Sequence, residues 1–254
     1  MVSVLLGKTG IRVEKNGFGA LPIQRITQEE AVRLLHQAFD GGIRYFDTAR
    51  SYTDSEEKLG AAFGGGKRAE LFLATKTPSQ TAEGFWKDLE TSLRLLRTDY
   101  IDVYQFHNPP FCPKPGDGSG LYEAMLEAKK QGKIRHIAIT NHRLAVAREA
   151  VESGLYDLLQ FPFSYLADPK EEELVRLCAE KNVGFVAMKA LSGGLITNSA
   201  AAYAYLAQYE NVLPIWGVQR ESELREFLSY VSNPSVMTPE LSAVIAHDRQ
   251  ELAG

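Results

Sequence analysis

The sequence predicts a single (β/α)8 barrel with an N-terminal β-hairpin and an extra C-terminal helix, and three observations predict it. Eight short apolar runs recur along the chain, each ending on or followed by a polar residue. Amphipathic helical stretches lie between them. The length of 254 residues suits one α/β barrel, which runs to about 250 residues. No Pro/Gly-rich linker divides the chain, so residues 1–254 read as one domain.

Taken in order, SVLLGKTGIRV alternates around a Gly-Lys-Thr-Gly turn and reads as a hairpin placed to plug the N-terminal end of the barrel. The eight runs are NGFGALPI (16–23), IRYFDTA (43–49), LFLATKT (71–77), YIDVYQFH (100–107), IRHIAITN (134–141), LLQFPFSY (158–165), GFVAMKAL (184–191) and VLPIWGVQ (212–219). Near-continuous Val, Ile, Leu and Phe mark strands buried on both faces, as in a parallel sheet covered by helices. After the first run, TQEEAVRLLHQAFDGG carries Thr27 as N-cap, Glu30 as its capping-box partner and Gly41 or Gly42 as the stop. TAEGFWKDLETSLRLLRT puts Phe85, Leu89, Leu93 and Leu96 on one face. DPKEEELVRLCAEKN begins with Asp168 as cap and Pro169 at the first helical position. Asp47, Lys76 and His107 end the second to fourth runs, and their numbers differ by 29 and 31. That is the length of a strand, crossover helix and loop, about 30 residues. SAVIAHDRQELA (242–253) reads as a last helix packed outside.

Composition excludes several classes. The 28 basic and 32 acidic residues are interspersed, giving −4 overall, so neither a nucleic-acid stripe nor an acidic tail is present. Two cysteines, Cys112 and Cys178, are too few for a disulfide framework or a four-thiolate metal site. The apolar run from Val2 to Leu6 ends at Gly7 and Lys8, too short for a secretory or spanning segment. The expectation is a cytoplasmic protein with no membrane or nucleic-acid partner. Oligomeric state is not written in the sequence, and a monomer suffices.

In such a barrel the chemistry gathers at the C-terminal ends of the strands. Those ends carry Asp47, Tyr52 just beyond it, Lys76, His107, Asn141, Gln160, Lys189, and Gln219 with Arg220. A lysine ending an apolar strand needs a carboxylate partner, because a buried ammonium is costly alone. An ammonium beside a phenol stabilises the phenolate left when the phenol gives up its proton, and a carboxylate keeps the ammonium charged and in place. Tyr52 is then a general acid suited to a carbonyl oxygen becoming an alkoxide. His107 can hydrogen-bond the same oxygen and orient the substrate.

These residues carry a resemblance. GIRYFDTARSYTDSEEKLG resembles the aldo-keto reductase signature G-x-x-x-F-D-T-A-x-x-Y-x-x-S-E-x-x-L-G, and ATKT and DYIDVYQFHNP follow at the expected distances. The likeness runs from about Leu5 to Leu228. It implies an NAD(P)H-dependent reductase of aldehydes or ketones whose catalytic tetrad falls on Asp47, Tyr52, Lys76 and His107. It also implies an extended nicotinamide cofactor across the barrel mouth without a dinucleotide-binding domain of its own. No G-x-G-x-x-G follows a strand here, and Gly64 to Gly66 reads as a helix stop and loop. By the same match Asn141 and Gln160 hold the carboxamide, and Thr140 keeps the hydroxyl of a position often serine. Met188, Lys189, Leu191 and Gly193 then follow the cofactor toward its pyrophosphate. LPIWGVQRESELREFL resembles the adenosine-phosphate loop and helix, which assigns Gly217, Val218, Gln219, Arg220, Glu223 and Glu226 there.

Three departures stand out, at Met188, Lys189 and Glu223. Met188 sits where an aromatic often stacks on the nicotinamide, and Lys189 where serine is common. Glu223 sits where strongly NADPH-preferring members often carry arginine, so NADP(H), favoured by the resemblance, competes with NAD(H). MKALSGG resembles a bacterial branch whose longer members bear an iron–sulfur tail, but no such cysteine run exists here, so neither a cluster nor another metal is expected. Only 27 residues follow Phe227, so the C-terminal substrate loop looks short. The substrate, a small carbonyl compound, is then bounded by the Leu21–Gln24 loop, the loop from Asn108, and Phe111, Phe163, Tyr165 and Trp216. Two alternatives stand beside this reading: a lyase forming a Schiff base on Lys76, and a nucleotide-binding redox sensor without turnover.

Overall fold

In the computed structural model, which describes residues 2–252, all eight apolar runs become strands of one closed barrel. Strands β1 (Ser3–Leu5) and β2 (Arg12–Glu14) pair antiparallel as the hairpin. The barrel strands are β3 (Gly17–Gly19), β4 (Tyr45–Asp47), β5 (Phe72–Thr77), β6 (Ile101–His107), β7 (Ile134–Thr140), β8 (Leu158–Pro162), β9 (Gly184–Met188) and β10 (Val212–Gly217). They follow one another in sequence order around the barrel, all parallel, and β10 closes onto β3.

Helices α1 (Gln28–Asp40), α2 (Ser55–Phe63), α3 (Ala82–Leu95), α4 (Leu121–Lys130), α5 (Leu144–Ser153), α6 (Pro169–Glu180) and α7 (Ser199–Ala207) return the chain from one strand to the next, and α8 (Glu221–Ser232) follows β10. Thr27 and Asp168 both form the capping boxes that the sequence predicts, with Glu30 and Glu171 reaching back to the cap amide. Helix α9 (Pro239–Leu252) starts three residues before the predicted helix, because Pro239 suits a first helical position. The predicted helix runs on to 253, and positions 253 and 254 lie outside the described residues. Arg249 anchors α9 by donating to the Tyr165 carbonyl (2.5 Å), and Tyr165 in turn donates to Asp248. Among the described residues no helix is long and apolar enough to cross a membrane.

The barrel interior has two layers. Tyr45, Ala74, Val103, Ala138, Leu158, Val186, Leu213 and Ile215 form one apolar cluster with Val4, Leu6, Ile11 and Val13 of the hairpin, so the hairpin does close that end. Side chains on a strand alternate, so two residues further along lies the same face. That step leads from Tyr45 to Asp47, Ala74 to Lys76, Val103 to Gln105, Ala138 to Thr140, Leu158 to Gln160, and Val186 to Met188. The apolar floor therefore carries a polar upper layer at the C-terminal ends, and this is what positions the site.

Candidate active site

Asp47 ends β4 and Lys76 lies one residue before the end of β5, with 2% and 1% of their surfaces exposed. Lys76 Nζ donates to Asp47 Oδ2 at 2.6 Å, to the Thr48 carbonyl at 2.8 Å and to Tyr52 Oη at 3.4 Å. Burial disfavours that charge, but the Asp47 carboxylate, with Tyr52 adding to it, holds the lysine above its ordinary value. Lys76 therefore stays an ammonium, pressed against a phenol.

The loop from β4 to α2 presents Tyr52, and the signature residues around it hold that loop. The Arg50 amide donates to the Lys76 carbonyl at 3.0 Å, and the Thr48 amide to the Ala74 carbonyl at 2.8 Å. Ser55 Oγ bonds both the Ala20 carbonyl and Thr48 Oγ1, at 2.8 and 2.7 Å. Glu56 is buried and accepts from Thr75 Oγ1 (2.6 Å) and Ser92 Oγ (2.7 Å) while pairing with Arg50. Gly60 brings α2 onto α3, since a Cβ there would run into the Leu95 carbonyl oxygen. Much of the signature thus serves to place Tyr52 over Lys76.

His107 ends β6 and stands edge-on to Tyr52, ring centroids 5.9 Å apart. Burial, with Lys76 and His142 adding to it, pushes its imidazole down to about 4, so it is neutral near pH 7. Its Nδ1 is buried with no partner. A proton on Nε2 therefore leaves no buried N–H unpaired, and that tautomer makes the ring a donor toward the cavity. Asp47, Tyr52, Lys76 and His107 all line one cavity of about 670 Å³.

Residues 15–201 match the aldo/keto reductase family. The chain belongs to that family. The oxidoreductase YqkF of Bacillus subtilis is 27% identical over 247 residues, covering 92% of this chain and 79% of its own length. The L-galactose dehydrogenase of Arabidopsis thaliana is 30% identical over 210 residues, covering 76% of this chain. This chain spans 66% of that relative's length. The fold is that of the Klebsiella pneumoniae aldo-keto reductase solved in complex with NADPH, with a TM-score of 0.81 at 22% identity over 97% of this chain and 94% of that one. As an aldo/keto reductase family member with oxidoreductase relatives, the chain is an enzyme of carbonyl–alcohol chemistry in the general sense.

For this reductase-family chain the cavity continues from the tetrad past Thr140, Met188, Lys189, Leu191 and Gly193 to Gly217, Gln219, Glu223 and Glu226. Lys189 adopts φ of +53°, an unusual backbone for a residue with a side chain. Gln160 is buried and not part of the lining, its Oε1 without a partner, while Gln219 lines the cavity with its Oε1 unpaired too. An orphaned acceptor on a lining residue fits a ligand that brings amide or hydroxyl donors.

Several expected residues lie elsewhere. Asn141 Nδ2 donates to the Pro109 carbonyl (2.8 Å) and its Oδ1 accepts from the Arg143 amide (2.9 Å), so it locks two loops together behind the lining. Val218 is buried in the outer core and Arg220 points to solvent. Gln24 accepts from Thr53 Oγ1 (3.0 Å) away from the cavity, and Phe111 packs against the outer core. Phe163 joins Phe185, Tyr205 and Tyr209, with centroids 5.3 to 5.9 Å apart, and Tyr165 is covered by α9. None of these seven lines the cavity, nor does Gln160, whereas Leu21 and Trp216 do. Sequence reasoning passed over Arg25, His142, Thr197 and Ser199, which line the cavity, and Gln105, which donates to Asp47.

Proposed function

We propose that this chain reduces aldehyde or ketone carbonyls to alcohols with a nicotinamide dinucleotide, using Tyr52 as the general acid. The observation that carries it is the Lys76 ammonium, buried and tied to Asp47, lying against the Tyr52 hydroxyl at the cavity wall. When bound, the reduced nicotinamide supplies the hydride. Tyr52 gives its proton to the carbonyl oxygen, and Lys76 stabilises the phenolate left behind. Neutral His107 donates from Nε2 to the same oxygen and orients it.

Thr140 and Met188 would flank the nicotinamide, with the unpaired Gln160 amide beneath it. Lys189, Leu191 and Gly193 would follow the pyrophosphate, and the start of α8 the adenosine. At that end Glu223 and Glu226 face the cavity, and Glu223 already accepts the Gln219 amide at 3.1 Å. Arg220, 72% exposed and 3.9 Å from Glu223, lies off the lining. A 2′-phosphate there would meet two carboxylates, whereas ribose hydroxyls can donate to them. We therefore favour NAD(H) over the NADP(H) that the family likeness suggests.

A charged Lys76 with its donors engaged speaks against Schiff-base chemistry, which needs a free amine. The test is a panel of aldehydes and ketones offered with NADH and with NADPH, following loss of the reduced dinucleotide. Turnover of some carbonyl supports the reading. Tight dinucleotide binding with no turnover on the whole panel would instead make the chain a sensor.

A further inference from the structure

We infer that Gln105 is a positioning residue of this active site, acting on the acid through Asp47 and Lys76. The inference rests on the roles proposed above for those residues. Gln105 sits on β6 between Val103 and His107, facing inward, with none of its surface exposed. From there it reaches past β5 to β4, and its Nε2 donates to Asp47 Oδ1 at 2.9 Å. Lys76 Nζ holds the other oxygen, Oδ2, at 2.6 Å.

The two donors make the carboxylate plane a fixed object. A carboxylate's terminal torsion is broad, so one partner alone leaves it free to swing. Lys76 is a poor anchor by itself, being a point charge on a flexible four-carbon stem. Gln105 is the second half of the clamp, holding the oxygen that Lys76 does not. With Asp47 set, the ammonium is set, and the ammonium is what touches Tyr52 Oη at 3.4 Å.

A second observation says the amide is not there for packing. Gln105 Oε1 is buried and finds no donor among the described residues. An orphaned buried acceptor weakens a fold, and a methionine or leucine would fill similar space without that cost. Departures of this kind from well-satisfied interiors collect at functional sites. Here the Nε2–H gives the reason: it is the second donor to Asp47.

The experiment is a double-mutant cycle on the dinucleotide-loaded protein, with para-nitrobenzaldehyde as the carbonyl probe. Gln105→Met should lower kcat about tenfold or more, while KM and the dissociation constant for NADH, read by tryptophan quenching, stay within about twofold. In an Asp47→Asn background the same change should alter kcat less than about twofold, because the carboxylate it acts on is gone. A side chain that merely fills space would give the same loss in both backgrounds, or none in either, and either result overturns the inference. Should Gln105→Met or Asp47→Asn not fold, Gln105→Leu and a Lys76→Met background complete the same cycle. Failure of the underlying site reading looks different: Asp47→Asn and Lys76→Met would then keep the wild-type kcat.

Discussion

Replacing Asp47 by asparagine keeps the shape of the side chain, removes its charge and turns one of its two acceptor oxygens into an NH2 donor, which must face either Lys76 or Gln105. Lys76, 1% exposed, then loses its charged partner 2.6 Å away and keeps the Thr48 carbonyl and Tyr52 hydroxyl. Breaking a buried ion pair on one side costs about 3–5 kcal/mol. A ceiling follows independently, because the lysine can shed its proton instead. From an ordinary value of 10.5, neutralising it at pH 7 spans 3.5 pH units at about 1.36 kcal/mol each, about 4.8 kcal/mol in all. By pH 9 the same ceiling is about 2 kcal/mol. Wild-type Lys76 is held above 10.5, so its contribution is fully present below that pH and fades only as pH rises through the higher folded value. In the variant the unfolded chain binds the proton more tightly than the folded one, so stability climbs as pH rises toward 10.5. The two curves must converge. Urea unfolding by circular dichroism at pH 7, 8 and 9 measures this, with m unchanged. A gap that stays constant with pH, or one below about 1 kcal/mol at pH 7, would refute the argument that Asp47 is what keeps Lys76 charged.

Three further outcomes are expected. Gly60→Ala forces α2 away from the Leu95 backbone and should destabilise by about 1–3 kcal/mol, seen as a lower melting midpoint by calorimetry; an unchanged midpoint would mean the two helices do not pack as described. His107 is held near 4 against an ordinary 6.5, so as pH falls through that window the unfolded chain takes up the proton first and stability drops by up to about 3 kcal/mol. His136 and His142, also lowered, keep their share in His107→Gln, so the loss should shrink in that variant relative to wild type. Glu223→Gln should improve NADPH binding relative to NADH by about tenfold, or 1.4 kcal/mol, in parallel titrations; an unchanged ratio would remove Glu223 from dinucleotide selection.

The barrel was legible because its strands are buried on both faces and must be apolar nearly throughout, and eight such runs left little choice of topology. That Asp47, Tyr52, Lys76 and His107 gather in one place was legible from residue types that an apolar strand end does not need. What stayed hidden followed from which way a side chain points. Phe163, one residue past β8, continues the alternation outward from the inward Gln160, whereas Tyr165 lies in the turn that follows, where alternation no longer applies. Gln105 was within reach of alternation, two residues before His107 on one strand. Asn141 could not be read, because its side chain closes a contact with Pro109 from a different loop. Arg25 was hidden for a similar reason: the turn Pro22–Arg25 is held by buried Lys58, which donates to the Ile23 and Ile26 carbonyls at 3.0 and 2.6 Å. A contact between distant segments leaves no local pattern.

The proposed reaction depends most directly on Tyr52. Tyr52→Phe removes one oxygen at the cavity wall, and Trp216, which lines the same cavity, reports dinucleotide binding by quenching. NADH should bind the variant within about twofold of wild type, while reduction of the best aldehyde falls by about a hundredfold or more, the usual range for losing a general acid. Turnover retained within about tenfold, with binding intact, would contradict the assignment of the acid.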